Sequence, residues 1–342
     1  MQRAGHLFER ILERENLRTA FYLARKGKLG RPDVEEFATD LENNLHRMAG
    51  DLDTGCFPLG RYRQFTIHDP KRRIITAPCF EERVLHHVIM HVCEPYFERF
   101  LIADTFACRR GKGRIAALHR ARHFSRNNQF AVKLDMRKYF RSISHVILSE
   151  KLQSRFKDHR LLDLFKRIIH SHEATSGCGL PIGSLTSQHF ANFYLGWFDR
   201  FVKEQLRVRA YVRYMDDCVL WCNNKDRLIQ WLDECCGFLR TQLALEPKAI
   251  DKVVTVRRGL DFLGCRVYPD HLKLNRRSRR RFHRKLGGLE DAFYNGDVHA
   301  AEYQQRVTSL LSFTQAGGVK SWQFRQNVIE KISVSGPWAR TG

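Results

Sequence analysis

The chain has 342 residues, with 59 lysines and arginines against 37 aspartates and glutamates, so its formal net charge is +22. This length allows two or three subdomains. An ordinary cytosolic enzyme has nearly equal numbers of positive and negative residues, so the excess positive charge instead predicts a polyanionic partner such as nucleic acid. A hydrophobic fraction of 43% with 24 phenylalanines excludes a disordered basic tail, because such tails lack the apolar surface to fold.

The apolar residues form no run long enough to cross a bilayer, which predicts a protein that is not exported and has no membrane partner. The ten cysteines are irregularly spaced, and most have apolar neighbours, which predicts reduced core thiols in a cytoplasm. One alternative use is a zinc site at His87, His91 and Cys93, but no second ligand pair with zinc spacing lies nearby.

The first third of the chain is predicted to be helical with one cationic hairpin. Apolar residues recur at helical spacing over 5–26 and 33–48, and Pro32 marks the second start. Strands at 64–68 and 73–76 flank a turn, a helix covers about 80–96, and a basic loop follows at 109–114.

The middle of the chain alternates strands and helices. A strand at 130–135 ends in an acid, and helices are predicted at 144–170 and, after a glycine-rich turn, at 186–204. A hairpin around 211–221, a helix at 224–243 and strands near 252–256 and 261–267 complete it. This order predicts an α+β sheet with helices on one face. The composition shifts from Leu272 onward, and a basic, all-helical unit is predicted from Asn275 to about 332.

Two adjacent acids interrupt an apolar, β-prone run at Tyr214-Met215-Asp216-Asp217. Aspartate is depleted in strands, so the pair indicates either an Asp-rich turn or a metal site at a hairpin tip. If the strand ending in Asp135 is a neighbour in the same sheet, three carboxylates meet, and divalent cations such as Mg²⁺ would neutralise their repulsion. Because side chains alternate along a strand, Asp135 and Asp216 are the expected primary pair and Asp217 the supporting ligand.

With these residues in place, the chain resembles a reverse transcriptase. Residues 134–140 (LDMRKYF) match the first palm motif, 179–188 (GLPIGSLTSQ) the intervening glycine-containing motif, and 214–217 (YMDD) the catalytic hairpin. The match continues through 245–248 (LEPK) and 260–264 (LDFLG). Five motifs in order cover most of residues 60–268, which makes the resemblance specific.

The resemblance implies an α+β, right-hand polymerase architecture. Fingers would span 1–125, the palm 126–268 with a helical finger insertion at about 141–180, and an all-helical basic thumb 269–342. Two Mg²⁺ ions, for which Mn²⁺ can substitute, would be held by Asp135, Asp216, Asp217 and the backbone carbonyl of Met136.

Further roles follow from the resemblance residue by residue. Phe140 would exclude a 2′-hydroxyl and so select deoxynucleotides, and Lys248 would be a general acid for pyrophosphate departure, although Lys252 is close to it. The other nucleotide-binding residues would be Arg73, Arg109, Lys112, Gly183 and Gln188. Without the resemblance, Phe140 could instead be a buried core aromatic, and the three cations could be part of a solvated basic face.

Contacts to an RNA–DNA duplex are implied for two regions. The turn with Leu263 and Gly264 resembles the primer grip. The helix after it carries the cations of the predicted thumb, namely Arg276, Arg277, Arg280, Arg284 and Lys285. If the resemblance to the family is set aside, the same cations could form a localisation signal or a solvated face.

The glycine-containing motif departs from the common Gln-Gly pattern, since Ile182 precedes Gly183 and Ser187-Gln188 follow. This variant resembles the enzymes of diversity-generating retroelements, which implies a bacterial or phage enzyme that copies a template RNA with errors at adenines alongside a small oligomeric accessory protein. Ile182 and Gln188 would then set fidelity. The alternatives are a reverse transcriptase of another bacterial lineage (group II intron-like, retron or defence-associated) and a catalytically inactive RNA-binding scaffold, which the intact aspartates disfavour.

Overall fold

The chain folds into two compact units in a computed structural model that describes residues 3–68, 72–248, 253–312, 314 and 326. The first unit comprises Met1–Ala103, Met136–Gln205 and Glu234–Lys248. The second comprises Asp104–Asp135, Leu206–Asp233 and Ala249–Gly342. Each unit therefore gathers segments that are distant in sequence.

The N-terminal helices are shorter and more numerous than predicted. Instead of two there are four: α1 (Phe8–Leu12), α2 (Arg14–Arg25), α3 (Pro32–Thr39) and α4 (Leu41–Asp53). Glu13 and Asp40 leave the helical region, with ψ of 129° and 53°, and so divide each predicted helix. Apolar periodicity continued across both breaks, which is why the sequence did not reveal them.

The predicted basic hairpin and the helix after it are confirmed. Strands β1 (Tyr62–Ile67) and β2 (Arg73–Pro78) pair antiparallel, and helix α5 (Phe80–Phe100) follows. The turn at 69–71 lies outside the described residues.

The middle of the chain follows the predicted order closely. Its helices and strands are α6 (Arg114–Asn127), β3 (Phe130–Leu134), α7 (Tyr139–Ser142), α8 (His145–Gln153), α9 (His159–His170), α10 (Leu185–Arg200), β4 (Tyr211–Tyr214), β5 (Asp217–Cys222) and α11 (Lys225–Leu243). A π-helical turn, Phe201–Gln205, extends α10.

The remaining elements are β6 (Val254–Thr255), β7 (Leu260–Phe262), β8 (Cys265–Val267), β9 (Leu272–Leu274), α12 (Arg276–Tyr294) and α13 (Ala300–Ser312). Strand β9 was not predicted: it pairs with β8, so the segment predicted as an all-helical thumb from 269 begins with a strand, and its first helix starts at Arg276, one residue after the predicted start at Asn275. Apart from 314 and 326, the predicted continuation of that segment from 313 to about 332 lies outside the described residues, as does residue 252 of the predicted strand at 252–256.

The first unit is held together by α5 and α10, which share an aromatic core. The Phe97 and Phe100 rings lie 5.3 and 4.9 Å from that of Phe193. Gly196 allows this approach, because a Cβ there would come within 2.8 Å of the Phe100 ring. Phenylalanine rings therefore supply the packing where these two helices meet.

The second unit is built on an antiparallel sheet of order β4-β5-β3-β6, with a smaller sheet of order β7-β8-β9. Helix α6 packs on them through Ala117, Leu118 and Ala121, which meet Trp221 and Val267 in one apolar cluster. Mixed helices and antiparallel strands confirm the predicted α+β class.

Candidate active site

The carboxylates of two distant motifs lie at the same end of the β4-β5-β3-β6 sheet. Strand β3 ends at Leu134, which pairs with Cys218 of β5, and Asp135 is the next residue. The β4–β5 hairpin closes at the pair Tyr214 and Asp217, with Asp216 in its two-residue turn. The structure therefore brings the three aspartates to one sheet end, as the sequence predicted.

The turn between β4 and β5 is held by a buried arginine that the sequence analysis did not single out. Met215 has a φ of 53°, a left-handed conformation that is unfavourable for a residue with a side chain. Arg213, completely buried, donates from Nη1 to the Met215 carbonyl at 2.9 Å. An arginine within the strand just before the acids was the only available signal for this role.

Asp217 forms an ion pair within the sheet. Asp217 Oδ1 lies 2.7 Å from Lys133 Nζ, and both side chains are more than two-thirds buried. The register explains this contact, since Lys133 pairs with Val219 and Asp217 is its diagonal neighbour on the same face. Asp217 is thus balanced by a cation of the protein itself.

These carboxylates suit a hard divalent cation. Magnesium prefers oxygen ligands and is usually bound through one or two carboxylates plus substrate phosphates. Asp135 and Asp216 offer such oxygens from two different elements, so the donor set fits the predicted Mg²⁺. Met136, the proposed carbonyl ligand, is buried directly after Asp135.

In the first unit, two adjacent aromatic residues after the first palm motif have different environments. Tyr139 is buried, and its hydroxyl donates to the Ala191 carbonyl of α10. Phe140 is half-buried, and its carbonyl accepts from Leu180 N at 2.8 Å. The buried core aromatic that was the alternative role for Phe140 is therefore its neighbour, Tyr139.

The glycine-containing motif is attached to the β1–β2 hairpin. The Ile182 carbonyl accepts from Thr76 N of β2 at 2.8 Å. Gly183 has a φ of +127°, and a Cβ there would lie 2.9 Å from Ile75 Cγ2 and 3.2 Å from the Thr76 oxygen. Glycine is therefore required by close approach to β2, a neighbour that the sequence did not identify.

A buried polar chain supports the next residue of this motif. Ser184 Oγ lies 2.9 Å from His86 Nδ1 and 3.0 Å from Thr186 Oγ1. Burial lowers the pKa of His86 to about 3, so its ring is neutral near pH 7. Glu82 Oε1 lies 3.7 Å from the other ring nitrogen, and burial raises the pKa of that carboxyl. This network joins α5 to the start of α10.

The segment that carries Lys248 runs beside the residues after Asp135. Arg137 N donates to the Glu246 carbonyl at 2.8 Å, and Met136 forms an isolated antiparallel bridge with Pro247. Lys248 is exposed at the next position. Lys252, the competing candidate, lies outside the described residues.

The predicted phosphate-binding cations have unequal exposure. Arg73 is exposed at the start of β2. In the basic loop of the second unit, Arg109 donates to the Thr105 carbonyl at 3.0 Å, and Lys112 Nζ lies 4.8 Å from the centre of the Phe106 ring. Arg109 and Lys112 thus also have structural contacts, whereas Gln188 lies half-buried in the first turn of α10.

The turn resembling a primer grip is anchored by an arginine that the prediction missed. Leu263 and Gly264 have φ of 47° and 80° and close the β7–β8 hairpin. Arg114, the first residue of α6, donates from Nε to the Leu263 carbonyl at 2.9 Å and from Nη2 to Cys265 Sγ at 3.3 Å. Burial lowers the pKa of Arg114. A contact between residues 149 positions apart cannot be predicted from a local sequence pattern.

Helix α12 separates apolar and cationic faces. Ser278, Phe282 and Leu286 are buried, one turn apart. On the exposed surface lie the predicted thumb cations, Arg276, Arg277, Arg280, Arg284 and Lys285. At 100° per residue, the four arginines fall within an arc of about 100° facing away from the buried stripe. Asn275 caps the helix by accepting from Ser278 N at 2.8 Å.

The alternative zinc site at His87, His91 and Cys93 does not form. His91 Nδ1 lies 2.7 Å from Asn16 Oδ1, and Cys93 is completely buried. All ten cysteines lie in the described part of the chain, and none is disulfide-bonded. Among the helices that the structure describes, none combines the length and apolarity needed to span a bilayer.

Comparison with known proteins gives weak overall likenesses. "Putative COX1/OXI3 intron 1 protein" of Saccharomyces cerevisiae is 20% identical over 175 residues, which is 48% of this chain and 21% of that protein. The chain thus spans about a fifth of the length of this relative.

Among solved structures, telomerase from Candida tropicalis in complex with a TWJ fragment of telomeric RNA has a TM-score of 0.47 at 10% identity, over 85% of this chain and 58% of that one. A partial Cas6-RT-Cas1–Cas2 complex has a TM-score of 0.41 at 18% identity, over 69% of this chain and 43% of that one.

A family model gives the decisive match. The model described as reverse transcriptase (RNA-dependent DNA polymerase) matches residues 67–267, more than half of the chain. The matched segment includes Asp135, the glycine-containing motif and the β4–β5 hairpin, so the α+β architecture is that of a right-hand polymerase. The chain therefore belongs to the reverse transcriptase family.

Proposed function

We propose that the chain is an RNA-directed DNA polymerase that makes cDNA from a template RNA by two-metal nucleotidyl transfer. The single observation that carries the proposal is the position of Asp135 and Asp216, which come from motifs about 80 residues apart and lie at one end of one sheet. Bound there, two Mg²⁺ or Mn²⁺ ions would stabilise the attacking and leaving oxygens of an in-line displacement.

Asp135 and Asp216 are the proposed primary ligands of those ions, with Asp217 and the Met136 carbonyl in support. The hairpin geometry supports this ranking, because Asp216 lies in the turn between β4 and β5, whereas Asp217 is the first residue of β5 and its side chain is fixed to one face of the sheet.

Lys248 is the proposed proton donor to the leaving pyrophosphate. Support comes from the bonding of its segment to Met136 and Arg137, which immediately follow Asp135 in the chain. An exposed ammonium held there can donate a proton when substrate closes over it.

Phe140 is the proposed barrier to ribonucleotides. Its half-buried ring and bonded carbonyl give it a fixed position, since Tyr139 beside it is anchored in the core. A fixed bulky ring excludes a 2′-hydroxyl by steric overlap, so deoxynucleotides are the proposed substrates.

Triphosphate contacts are assigned to Arg73 first and to Arg109 and Lys112 second, with Gly183 and Gln188 near the base pair. Arg73 has the strongest support, because its exposed guanidinium can make bidentate bonds to phosphate. The proposed duplex-binding surface consists of the cationic face of α12 and the Leu263–Gly264 turn. Such phosphate contacts are independent of sequence and sensitive to salt.

At the finer level, we propose an error-prone enzyme of a diversity-generating retroelement that works with a small oligomeric accessory protein. The Ile182-Gly183 and Ser187-Gln188 pattern supports this subtype. An apolar side chain at 182 removes a hydrogen-bonding check on the nascent pair. Ile182→Gln should lower misincorporation in cDNA copied from an adenine-rich template, and an unchanged error rate would refute this role of Ile182.

The test of the activity is primer extension on an RNA template with Mg²⁺, using the wild type, Asp216→Ala and Asp163→Ala. Asp163 is an exposed acid of α9 and serves as the matched control. Asp216→Ala should abolish extension and leave RNA affinity within about twofold of the wild-type value, because the thumb and hairpin cations supply that affinity. Asp163→Ala should retain both.

Full extension by Asp216→Ala would overturn the proposal. An inactive wild type that still binds RNA would favour the scaffold alternative. Loss of extension and RNA binding together would show that the substitution had unfolded the palm, and Asp216→Asn would then replace it.

A further inference from the structure

Three metal-ligating side chains converge in the first unit, at a place that the polymerase function does not use. His145 begins α8, His170 ends α9, and Glu173 follows three residues later. One ligand atom from each residue lies within 4.8 Å of the other two. His170 and Glu173 are close in sequence, whereas His145 lies 25 residues before His170, so the fold brings His145 to the other two.

The hydrogen bonding of His145 leaves one ring nitrogen available to a metal ion. Its Nε2 lies 2.8 Å from the Gly179 carbonyl oxygen, which can only accept, so Nε2 carries the proton. The lone pair is therefore on Nδ1, which is completely buried and has no hydrogen-bond partner among the described residues. Ligating histidines commonly donate their other N–H to a backbone carbonyl in this way.

The two other side chains can close around an ion. The His170 ring centre is 5.0 Å from that of His145, at an interplanar angle of 72°. Glu173 Oε1 lies 3.4 Å from Gly177 N, a weak bond that holds the carboxylate near the site. Tetrahedral ligands of zinc stand about 3.4 Å from one another, and both exposed side chains have the rotamer freedom to reach that spacing.

The donor set distinguishes this cluster from the carboxylates of the palm. Two imidazole nitrogens and one carboxylate suit a borderline transition metal, whereas Mg²⁺ takes oxygen ligands. We propose that His145, His170 and Glu173 bind one Zn²⁺ ion, with water as the fourth ligand.

The position of the site indicates a structural role. The segment at 177–180 bonds to 140–145: Leu180 N donates to the Phe140 carbonyl at 2.8 Å, and Gly179 N donates to that of Ile143 at 2.9 Å. A metal held by α8, α9 and their following loop fixes this pairing and so stabilises the backbone of Phe140.

The experiment measures binding of Zn²⁺ and Co²⁺ to the full chain after chelator treatment, by calorimetry and absorption, in millimolar Mg²⁺ to saturate the palm. We expect one Zn²⁺ per chain, a higher melting temperature with Zn²⁺, and a Co²⁺ d–d band of tetrahedral intensity. His170→Gln and Glu173→Gln should each weaken affinity by about 10- to 100-fold. His159→Gln, at the exposed start of the same helix, should not.

These variants spare the buried His145, so loss of binding does not depend on a damaged core. A chain that takes up no Zn²⁺, or whose His170→Gln form binds it with wild-type affinity and the same Co²⁺ spectrum, would overturn the assignment. Neither readout requires polymerase activity.

Discussion

Gly183→Ala should destabilise the first unit by about 2–6 kcal/mol. The native φ of +127° is unfavourable for alanine, which costs about 1–3 kcal/mol. The new Cβ would also lie 2.9 Å from Ile75 Cγ2 and 3.2 Å from the Thr76 oxygen, and overpacking of this kind costs about 1–3 kcal/mol. Relief requires the motif to leave β2, which breaks the bond from Thr76 N to the Ile182 carbonyl.

Urea unfolding of three proteins measures this cost. Gly237→Ala is the matched control: Gly237 lies within α11 with no atom within 4 Å of its added Cβ, so alanine should stabilise by about 0.5–1 kcal/mol. Adding Ile75→Ala to Gly183→Ala should recover only part of the loss, because the φ and the backbone oxygen remain. If Gly183→Ala unfolds at the wild-type urea midpoint, the packing argument is refuted.

Three other changes test the described contacts. Arg114→Ala should lower the free energy of unfolding by about 1–3 kcal/mol in the same urea assay, because it removes charged hydrogen bonds. The control Arg126→Ala, at an exposed site, should change that free energy by less than about 1 kcal/mol. Arg280→Ala with Arg284→Ala should reduce the slope of log K against log salt for an RNA–DNA duplex by about 1–2, and an unchanged slope would remove these cations from the interface. Burial lowers the pKa of His189 to about 4, so the unfolded chain binds its proton first, and the contribution of this ring to stability falls by about 2 kcal/mol between pH 7 and pH 5. Buried His86, whose pKa is lowered to about 3, adds a loss of its own, so His189→Leu should reduce the difference in unfolding free energy between pH 7 and pH 5 by about 2 kcal/mol without abolishing it.

Elements with strong local signals were predictable from the sequence. The β1–β2 hairpin, β3 and the β4–β5 hairpin all lie where alternation and turn residues placed them. Helix ends were predicted wrongly where the apolar periodicity continued through a break in the helix, as at Glu13 and Asp40. The short strand β9 was not predicted, because it depends on pairing with β8, which no local sequence pattern encodes.

Supporting residues of the site were not predictable, because each acts across a long separation. Arg114 reaches a carbonyl 149 positions away, and His86 is bonded to Ser184, 98 positions away. Gly183 was predicted only as a nucleotide-binding residue, whereas its described neighbour is β2, which a Cβ at this position would meet. A sequence pattern can indicate that space is scarce without showing which atoms occupy it.

The unequal aspartates show how the two kinds of information combine. Alternation along β5 requires Asp217, Val219 and Trp221 to share one face, which the sequence alone establishes. Only the pairing of Lys133 with Val219 shows that this face carries a lysine one diagonal from Asp217. Asp216 stands in the turn, outside the ladder, so its carboxylate is not constrained to that face. The hairpin thus places Asp217 in an ion pair within the sheet and Asp216 in the turn at its end, where Asp135 also lies, which is why Asp135 and Asp216 are the proposed metal pair.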